Sequence, residues 1–517
     1  MQEHHSLIHS LTAGEWQSLQ QYLTCFSSHD SAQLKRLQLA RILREAETSP
    51  THNACCINIY GRKNEHGFDV IKSTLKEKVL DFLLTDISAD KQQELDKVDY
   101  VLIKIKKKSA QFFQLYYSKK RLSVLYNLLD DVINLSRDYE FYALLADHLR
   151  TKKNMVSFKE GKEQFDKVNE EIKKYWQFNQ VLNSAEHYYY ELMLLNEYNG
   201  KKDKQKILLF LEDSIAEVGK GFELTKSPLV NYHLKFLELE SFWLQKNYSK
   251  ARSICLELLD VVRNNKSVYR RQRVGVVYDH LSRCDYYIDL FKHAAEHARE
   301  AQKQFNPGSE NYCIALEQEF YALLALKEND NAVEIANKMI SSASKKELGS
   351  FRYAKYHYLL ANALFKQRRF KDALRILSQK LEISKDKAGW EIGLRVLKIM
   401  TLIETLKLNE ASMAVGSLKQ FISYTDKKTP VSQRDKTILA LLCQVERVGF
   451  MFTLLNGNTE KNMQALLSGK DQKWEPFTHE VIPFHEWFAG KMVKGKRLMV
   501  NLKQPLATVP AGRPISH

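Results

Sequence analysis

The sequence predicts an all-α fold, a right-handed superhelical solenoid of antiparallel helix hairpins, and three observations carry that prediction. First, alanine recurs at Ala251, Ala294, Ala332, Ala373 and Ala411, 38 to 43 residues apart. The residue eight before each is Trp243, Tyr286, Leu324, Phe365 and Ile403, and the residue four after is Cys255, Ala298, Ala336, Leu377 and Val415. A fixed period of this size marks stacked hairpins, each burying its apolar face on the next. Second, 517 residues are too many for one ordinary core but suit an architecture that grows by layers. Third, of nine prolines none falls between Pro50 and Pro228. Proline removes a backbone donor and clashes with the preceding turn, so this gap permits long helices. Pro228, Pro307 and Pro430 are expected at junctions between hairpins.

From the N-terminus, Thr12 and Glu15 have capping-box spacing and precede Trp16, Leu19, Tyr22 and Leu23 at helical intervals, so a helix starts there. Leu34 to Ala46 and Val70 to Leu84 repeat the amphipathic pattern, and Pro50 to Gly67, broken by Asn, Gly and His, reads as a loop. Residues 1–95 are expected to form an N-terminal helical module. Residues 96–430 are expected to hold the repeats, clearest over 231–424, where five helix pairs follow one another. One degenerate unit precedes them, with Ile207 in the alanine's place, Leu195 and Leu211 in register, and Asn199 where an apolar residue belongs.

In the best copy, Tyr353 to Ser384, the first helix presents Tyr356, Leu360, Ala361, Leu364 and Phe365. Lys366 to Arg369 form the turn, and the second helix presents Phe370, Ala373, Leu374 and Leu377. Two helices approach closely only if a small side chain sits at their crossing and large apolar residues fill the space around it. This pattern resembles the tetratricopeptide repeat in Ala361, Phe365, Phe370, Ala373 and Leu377, over about 200 residues. The departures are a period above the usual ~34 residues and a small first-helix position occupied by Leu239, Ser282, Phe320, Ala361 and Ile399. The closing proline is also missing except near Pro307. A HEAT-like α-solenoid is the structural alternative.

After Pro430 one long helix is expected from Arg434 to Leu455. An aromatic stretch with Trp474, Phe477, Phe484, Trp487 and Phe488 follows, so residues 431–490 are expected to cap the array. Beyond Gly490 stand Lys491, Lys494, Lys496, Arg497, Lys503 and Arg513 without an acid, together with three prolines. Residues 491–517 therefore read as a basic, disordered tail.

Lys and Arg number 78 against 62 Asp and Glu, a net charge of +16. The excess permits an acidic partner, whether nucleic acid, protein or membrane face, and is equally the mark of a dispersed solubilising surface. Seven cysteines, odd in number and scattered except for Cys55 and Cys56, argue against a disulfide framework and for a reducing compartment. Cys255, at a packing position, reads as a small hydrophobe. The N-terminus lacks a signal-peptide pattern, and the longest apolar stretch, Val448 to Leu455, is too short to span a membrane. The expectation is a cytoplasmic protein.

His293-Ala-Ala-Glu296-His297 matches the H-x-x-E-H pattern of inverted zinc peptidases, in which two histidines one turn apart hold zinc and the glutamate activates water. Ala294 and Ala298 are packing positions, however, and such peptidases need a mixed α/β fold. No catalytic residue, metal or cofactor is therefore expected. Lys104, Lys106, Lys107, Lys108, Lys119, Lys120 and Arg121 are interleaved with Phe112, Phe113, Tyr116 and Tyr117, a combination able to neutralise phosphates and stack on bases. Helical spacing instead makes Phe112, Phe113, Leu115, Tyr116 and Tyr117 a buried stripe with the lysines as its solvated face. Tyr188, Tyr189 and Tyr190 cover three helical directions, so at least one ring faces a groove or solvent. There is no Gly-rich phosphate loop, Walker motif or G-x-S-x-G elbow.

The function these observations favour is a non-enzymatic protein–protein interaction scaffold, holding a peptide or helix in a concave groove lined by first helices. Lys235, Arg283, Gln318, Lys355 and Arg395 are the expected solvent-facing positions there, a mostly basic set suited to an acidic segment. A nucleic-acid-associated regulator and a zinc hydrolase using His293, Glu296 and His297 are the alternatives. The variable residues between the alanines do not identify the partner.

Overall fold

The computed structural model describes all residues except 25–30, 86–94, 119–121, 158–159, 200–203, 343–344, 380, 382–387, 456, 470–471 and 503–517. Among the described residues there are only helices, turns and irregular segments, and no helix is long and apolar enough to cross a membrane. The helices are α1 (Gln2–His9), α2 (Ala13–Thr24), α3 (Ser31–Glu45), α4 (His52–Tyr60), α5 (Glu65–Thr85), α6 (Lys97–Tyr117), α7 (Leu122–Asp138) and α8 (Tyr142–Val156). They continue as α9 (Gly161–Asn199), α10 (Lys204–Thr225), α11 (Pro228–Leu244), α12 (Tyr248–Asn264), α13 (Arg271–Tyr287), α14 (Phe291–Gln304), α15 (Glu310–Ala325) and α16 (Asn329–Ser341). The last are α17 (Lys345–Lys366), α18 (Phe370–Leu377), α19 (Ala388–Glu404), α20 (Leu408–Asp426), α21 (Gln433–Arg447), α22 (Gly457–Ser468) and α23 (Phe484–Leu502). The three prolines fall at junctions: Pro228 opens α11, where its missing N–H costs nothing, and Pro307 and Pro430 lie between pairs.

The chain divides into two compact units, one of Met1–Ser184 with Ser227–Leu229 and Asn265–Arg270, the other of Ala185–Lys226, Val230–Asn264 and Arg271–His517. In the first, α1–α5 share a core of their own around Leu19, Leu39, Leu43, Phe68 and Leu75. The compact unit that holds these helices runs on to Ser184. The capping box forms as its spacing requires: the Thr12 amide donates to Glu15 Oε2 at 2.7 Å and the Glu15 amide to Thr12 Oγ1 at 3.2 Å. The loop expected over Pro50 to Gly67 is corrected by α4. Thr51 caps it by accepting from the Ala54 amide at 3.3 Å, Gly61 at φ 69° ends it, and Cys55, Cys56 and Ile59 are buried between.

In the second unit five pairs follow one another, α11/α12 to α19/α20, and the alanine series marks one point in each. Ala251, Ala294, Ala332, Ala373 and Ala411 are each the fourth residue of the second helix, and each is wholly buried. Five residues before every alanine the backbone turns left-handed, at Lys246, Asp289, Lys327, Arg368 and Leu406, with φ between 57° and 64°. At the first turn the Lys246 amide donates to the Trp243 carbonyl at 3.0 Å and the Asn247 amide to the Phe242 carbonyl at 2.9 Å. The last repeats it with Leu406 to Ile403 at 3.2 Å and Lys407 to Leu402 at 3.0 Å. This is a Schellman ending, which satisfies the last helical carbonyls and reverses the chain. Glycine is the usual residue there, yet none of these five is glycine. Leu406 is 81% exposed and gains nothing from packing. A left-handed L-residue costs about 1–2 kcal/mol, and glycine's extra freedom in the unfolded chain returns about 0.5–1 kcal/mol of that. Leu406→Gly is expected to raise stability by about 0.5 kcal/mol in urea unfolding.

The same turn also occurs in the first unit. Glu140 has φ 58°, its amide donates to the Arg137 carbonyl at 3.3 Å and the Phe141 amide to that of Ser136 at 2.9 Å. It joins α7 to α8, and Leu145, wholly buried, stands where the alanine would. The alanine pattern cannot find this pair because leucine has taken its marker position. Ile207, the degenerate marker, is the fourth residue of α10 and 3% exposed, in register as the spacing implied.

Two expectations near the C-terminus are corrected. The long helix from Arg434 stops at Arg447, because Gly449 and Phe450 both adopt positive φ (62° and 61°) and the Phe450 amide turns back to the Val445 carbonyl at 2.8 Å. The tail expected from residue 491 is helix as far as Leu502, where α23 ends. Met492 packs on the core and Lys491 pairs with Glu404 at 2.9 Å, which holds the helix past Gly490. Residues 503–517 lie outside the described residues.

Candidate functional site

Positions 18, 15 and 11 before each alanine share one face of every first helix, since i, i+3 and i+7 are neighbours on a helix. Along α11, α13, α15, α17 and α19 that stripe reads His233-Phe236-Glu240, Val276-Asp279-Arg283, Ile314-Glu317-Tyr321, Lys355-Tyr358-Asn362 and Gly393-Val396-Met400. Its chemistry changes along the array. It is charged in the middle repeats and apolar or glycine in the last.

The last repeats are not empty. Residues 472–483, between α22 and α23, form an irregular strap laid across the first helices. Glu475 Oε1 accepts from Lys246 Nζ at 2.7 Å, beside the first turn of the array. The Phe477 ring lies in a cage of tyrosines, 4.7 Å from Tyr286, 5.8 Å from Tyr287 and 4.7 Å from Tyr321. The His479 carbonyl accepts from the Tyr358 hydroxyl at 2.7 Å, and its ring reaches Asp435 at 2.9 Å. Gly393 is required here, because a Cβ on it would stand 2.3 Å from the His479 carbonyl oxygen. Glu480 then makes a two-point ion pair with Arg434, Nε to Oε2 at 2.5 Å and Nη2 to Oε1 at 2.7 Å, with both residues buried. The Trp474 indole closes the strap on itself, donating to the Glu480 carbonyl at 2.8 Å.

The aromatic cap expected from Trp474, Phe477, Phe484, Trp487 and Phe488 therefore divides in two. Phe484 and Phe488 are wholly buried around Phe452 and Trp487, as a terminal cap requires. Trp474 and Phe477 belong to the strap instead. Pro476 and Pro483 mark the segment in the sequence only as non-helical, with no sign that it returns across the array.

On the middle first helices, α13 and α15, some buried polar atoms go unsatisfied. Asp279 Oδ1, Arg283 Nε, Gln318 Oε1 and Tyr321 Oη are buried and make no hydrogen bond. Burial, opposed by Arg283 and assisted by Glu317, pushes the Asp279 carboxyl up to about 6. Burial, with Arg283 adding to it, pushes the neighbouring His280 ring down to about 3. An acid raised by folding is most favourable when protonated, so its contribution is present below pH about 4 and lost as pH rises through about 6. Asp279→Asn is expected to be more stable than the wild type above pH 6, by about 1–3 kcal/mol, with the gap closing below pH 4 in urea unfolding.

The five expected contact positions are less open than expected. Gln318 is 7% exposed. Lys235 is held by Glu238 and Glu257 at 2.9 and 2.8 Å, and Lys355 by Glu317 at 2.5 Å. Arg283 stacks 4.7 Å over the Trp243 ring, and Arg395 pairs with Glu391 at 2.8 Å while covering Phe421. These cations have acid or aromatic partners within the array, so the face is mixed in charge rather than basic. Sequence reasoning named Arg283, Gln318 and Lys355 but missed Asp279, Glu317, Tyr321 and the strap.

The His-x-x-Glu-His motif is committed elsewhere. His297 Nδ1 donates to the buried Asp285 at 2.7 Å, and the same carboxylate accepts from Arg252 at 2.5 Å, tying three helices together. His293 and Glu296 are exposed. On α6 the expected buried stripe is corrected: only Phe112 is buried, while Phe113, Tyr116 and Tyr117 are 39%, 42% and 77% exposed. The rings stack on one another instead, Phe112 on Tyr116 and Phe113 on Tyr117. Lys108 is paired with Asp131 at 2.5 Å and Lys107 donates to the Thr85 carbonyl. Lys119, Lys120 and Arg121 lie outside the described residues. Tyr190 is the tyrosine of its trio that faces solvent, at 63% exposure, while Tyr189 packs on His233 and Phe236.

No family model matches the chain, and no curated protein matches it. Among solved structures it is similar to the apo form of RapI, at 14% identity over 77% of this chain and 98% of that one, with a TM-score of 0.45. It is also similar to the TPR2AB domain of yeast Sti1 in complex with pHSP90, at 13% identity over 52% and 98%, TM-score 0.21. A third is the STAND ATPase with a tetratricopeptide repeat sensor from Pyrococcus horikoshii, at 12% identity over 97% and 73%, TM-score 0.30. The architecture rests on the chain's own helices: five consecutive hairpins, each with a wholly buried alanine as the fourth residue of its second helix and one turn geometry, make this an all-α helical-repeat protein of the tetratricopeptide-like kind.

Proposed function

We propose that this chain is a non-enzymatic protein–protein interaction scaffold that holds an extended partner segment on the first-helix face of its array. One observation carries the reading: that face already holds an irregular, non-helical segment, residues 472–483, through an aromatic cage and a side-chain bond to a backbone carbonyl. Stacked helical repeats create extended concave surfaces that suit such a segment. The mixed charge of Asp279, Arg283, Glu317 and Lys355 favours a partner of mixed polarity over a purely acidic one. Six free cysteines among the described residues accord with a cytoplasmic setting.

Affinity capture with the full-length chain tests the reading. A genuine partner is retained by wild type and by the second-helix variant Lys292→Glu, and reduced at least about tenfold by Glu317→Lys. A partner indifferent to Glu317→Lys binds elsewhere and refutes the groove.

A further inference from the structure

The strap has two properties that a purely structural closing segment has no need of. Phe477, its central anchor, is held at φ 59° outside any helix ending, a left-handed conformation that is unfavourable for an L-residue. And although its ring sits in the tyrosine cage, the hydroxyl of Tyr321 beneath it finds no partner, nor do Asp279 Oδ1, Arg283 Nε and Gln318 Oε1 on the same two helices. Buried polar atoms in native structures are almost always satisfied. The strap thus fills the groove while leaving its polar floor unpaired and straining its own backbone. Its residues 472–479 are only partly buried, in contrast to Val481, Ile482, Phe484 and Phe488, which anchor it to the core. It can open at one end without leaving the molecule.

We infer that the strap is an internal ligand, exchanged for the partner. This rests on the groove-binding function proposed above, and it specifies the partner's chemistry: an extended peptide with an aromatic residue for the Tyr286–Tyr287–Tyr321 cage and a carboxylate two residues before it for Lys246. The pattern is that of Glu475 and Phe477. Charge complementarity supports that choice, since the strap's acids meet basic residues at both ends, Glu475 at Lys246 and Glu480 at Arg434. A partner that also hydrogen-bonds Tyr321, Gln318, Arg283 and Asp279 outcompetes the strap, because it pairs atoms that the strap leaves bare.

The experiment uses the full chain and a fluorescein-labelled synthetic peptide with the sequence of residues 473–484. In fluorescence anisotropy, Phe477→Ala and, independently, Glu475→Lys loosen the internal strap, and each is expected to bind the peptide at least about tenfold tighter than wild type. The same peptide with alanine at its own phenylalanine is expected not to bind. In wild type, hydrogen exchange at Glu475 and at residues 477–479 is expected to run about a hundredfold faster than in α15 and α17, through local opening. Failure of both variants to bind, or strap amides that exchange only at the rate of the core helices, overturns the inference and leaves a fixed structural strap. Variants that dimerise on size exclusion without taking up peptide overturn it in favour of strap exchange between copies. Loss of the Glu317→Lys effect on partner capture would sink the scaffold reading alone, whatever the peptide does.

Discussion

Arg434→Ala is expected to remove about 3–5 kcal/mol of stability, the largest effect of any single substitution considered. Arg434 and Glu480 are each 8% exposed and bonded at two points, and Arg434 also donates to the Leu466 carbonyl at 3.2 Å. Removing the guanidinium leaves a buried carboxylate with no counter-charge, and that uncompensated charge, rather than the worth of the pair, sets the magnitude. Arg434→Met with Glu480→Leu is therefore expected to recover most of the loss, because no charge is left stranded. Urea unfolding of the three proteins checks it. A double variant as unstable as Arg434→Ala would mean that the carbonyl contacts, not the charge, dominate.

Gly393→Val is expected to lift the strap and lower stability by about 1–3 kcal/mol. The added Cβ would meet the His479 carbonyl oxygen at 2.3 Å and the Tyr358 hydroxyl at 2.9 Å. The first of these is backbone, which cannot rotate aside. The side chain must therefore displace the segment, breaking the Tyr358 bond and drawing Trp474 into water. A red shift in tryptophan emission together with a lower unfolding midpoint is the expected pair of readouts. Lower stability with unchanged emission would place the strain in α19 instead.

The architecture was legible because it is periodic. Packing repeats at every crossing, so Ala251 to Ala411 announce the same event five times and register errors show at once. The pair α7/α8 escaped because Leu145 replaces the small marker while the turn at Glu140 is unchanged, and backbone sign leaves no mark in a sequence when lysine, aspartate, arginine, leucine and glutamate all serve. The first-helix face was only half legible. Arg283, Gln318 and Lys355 were found as polar residues on first helices, but whether a polar residue is free depends on partners 20 to 40 positions away, such as Glu317 for Lys355. The strap was invisible for the same reason in stronger form. Nothing local in Trp474 to Pro483 tells an end cap from a segment that returns across Tyr286 and Tyr321, since the contact joins residues far apart in the chain.

Whether the first-helix face recognises a partner segment is decided by site-specific photo-crosslinking. p-Benzoylphenylalanine is placed singly at Lys355, on that face, and at Lys292, on the exposed side of a second helix. The expected result is a partner adduct from position 355 that disappears with excess strap peptide, and none from position 292. Adducts from position 292 alone, or adducts from 355 that the strap peptide does not compete, would contradict it.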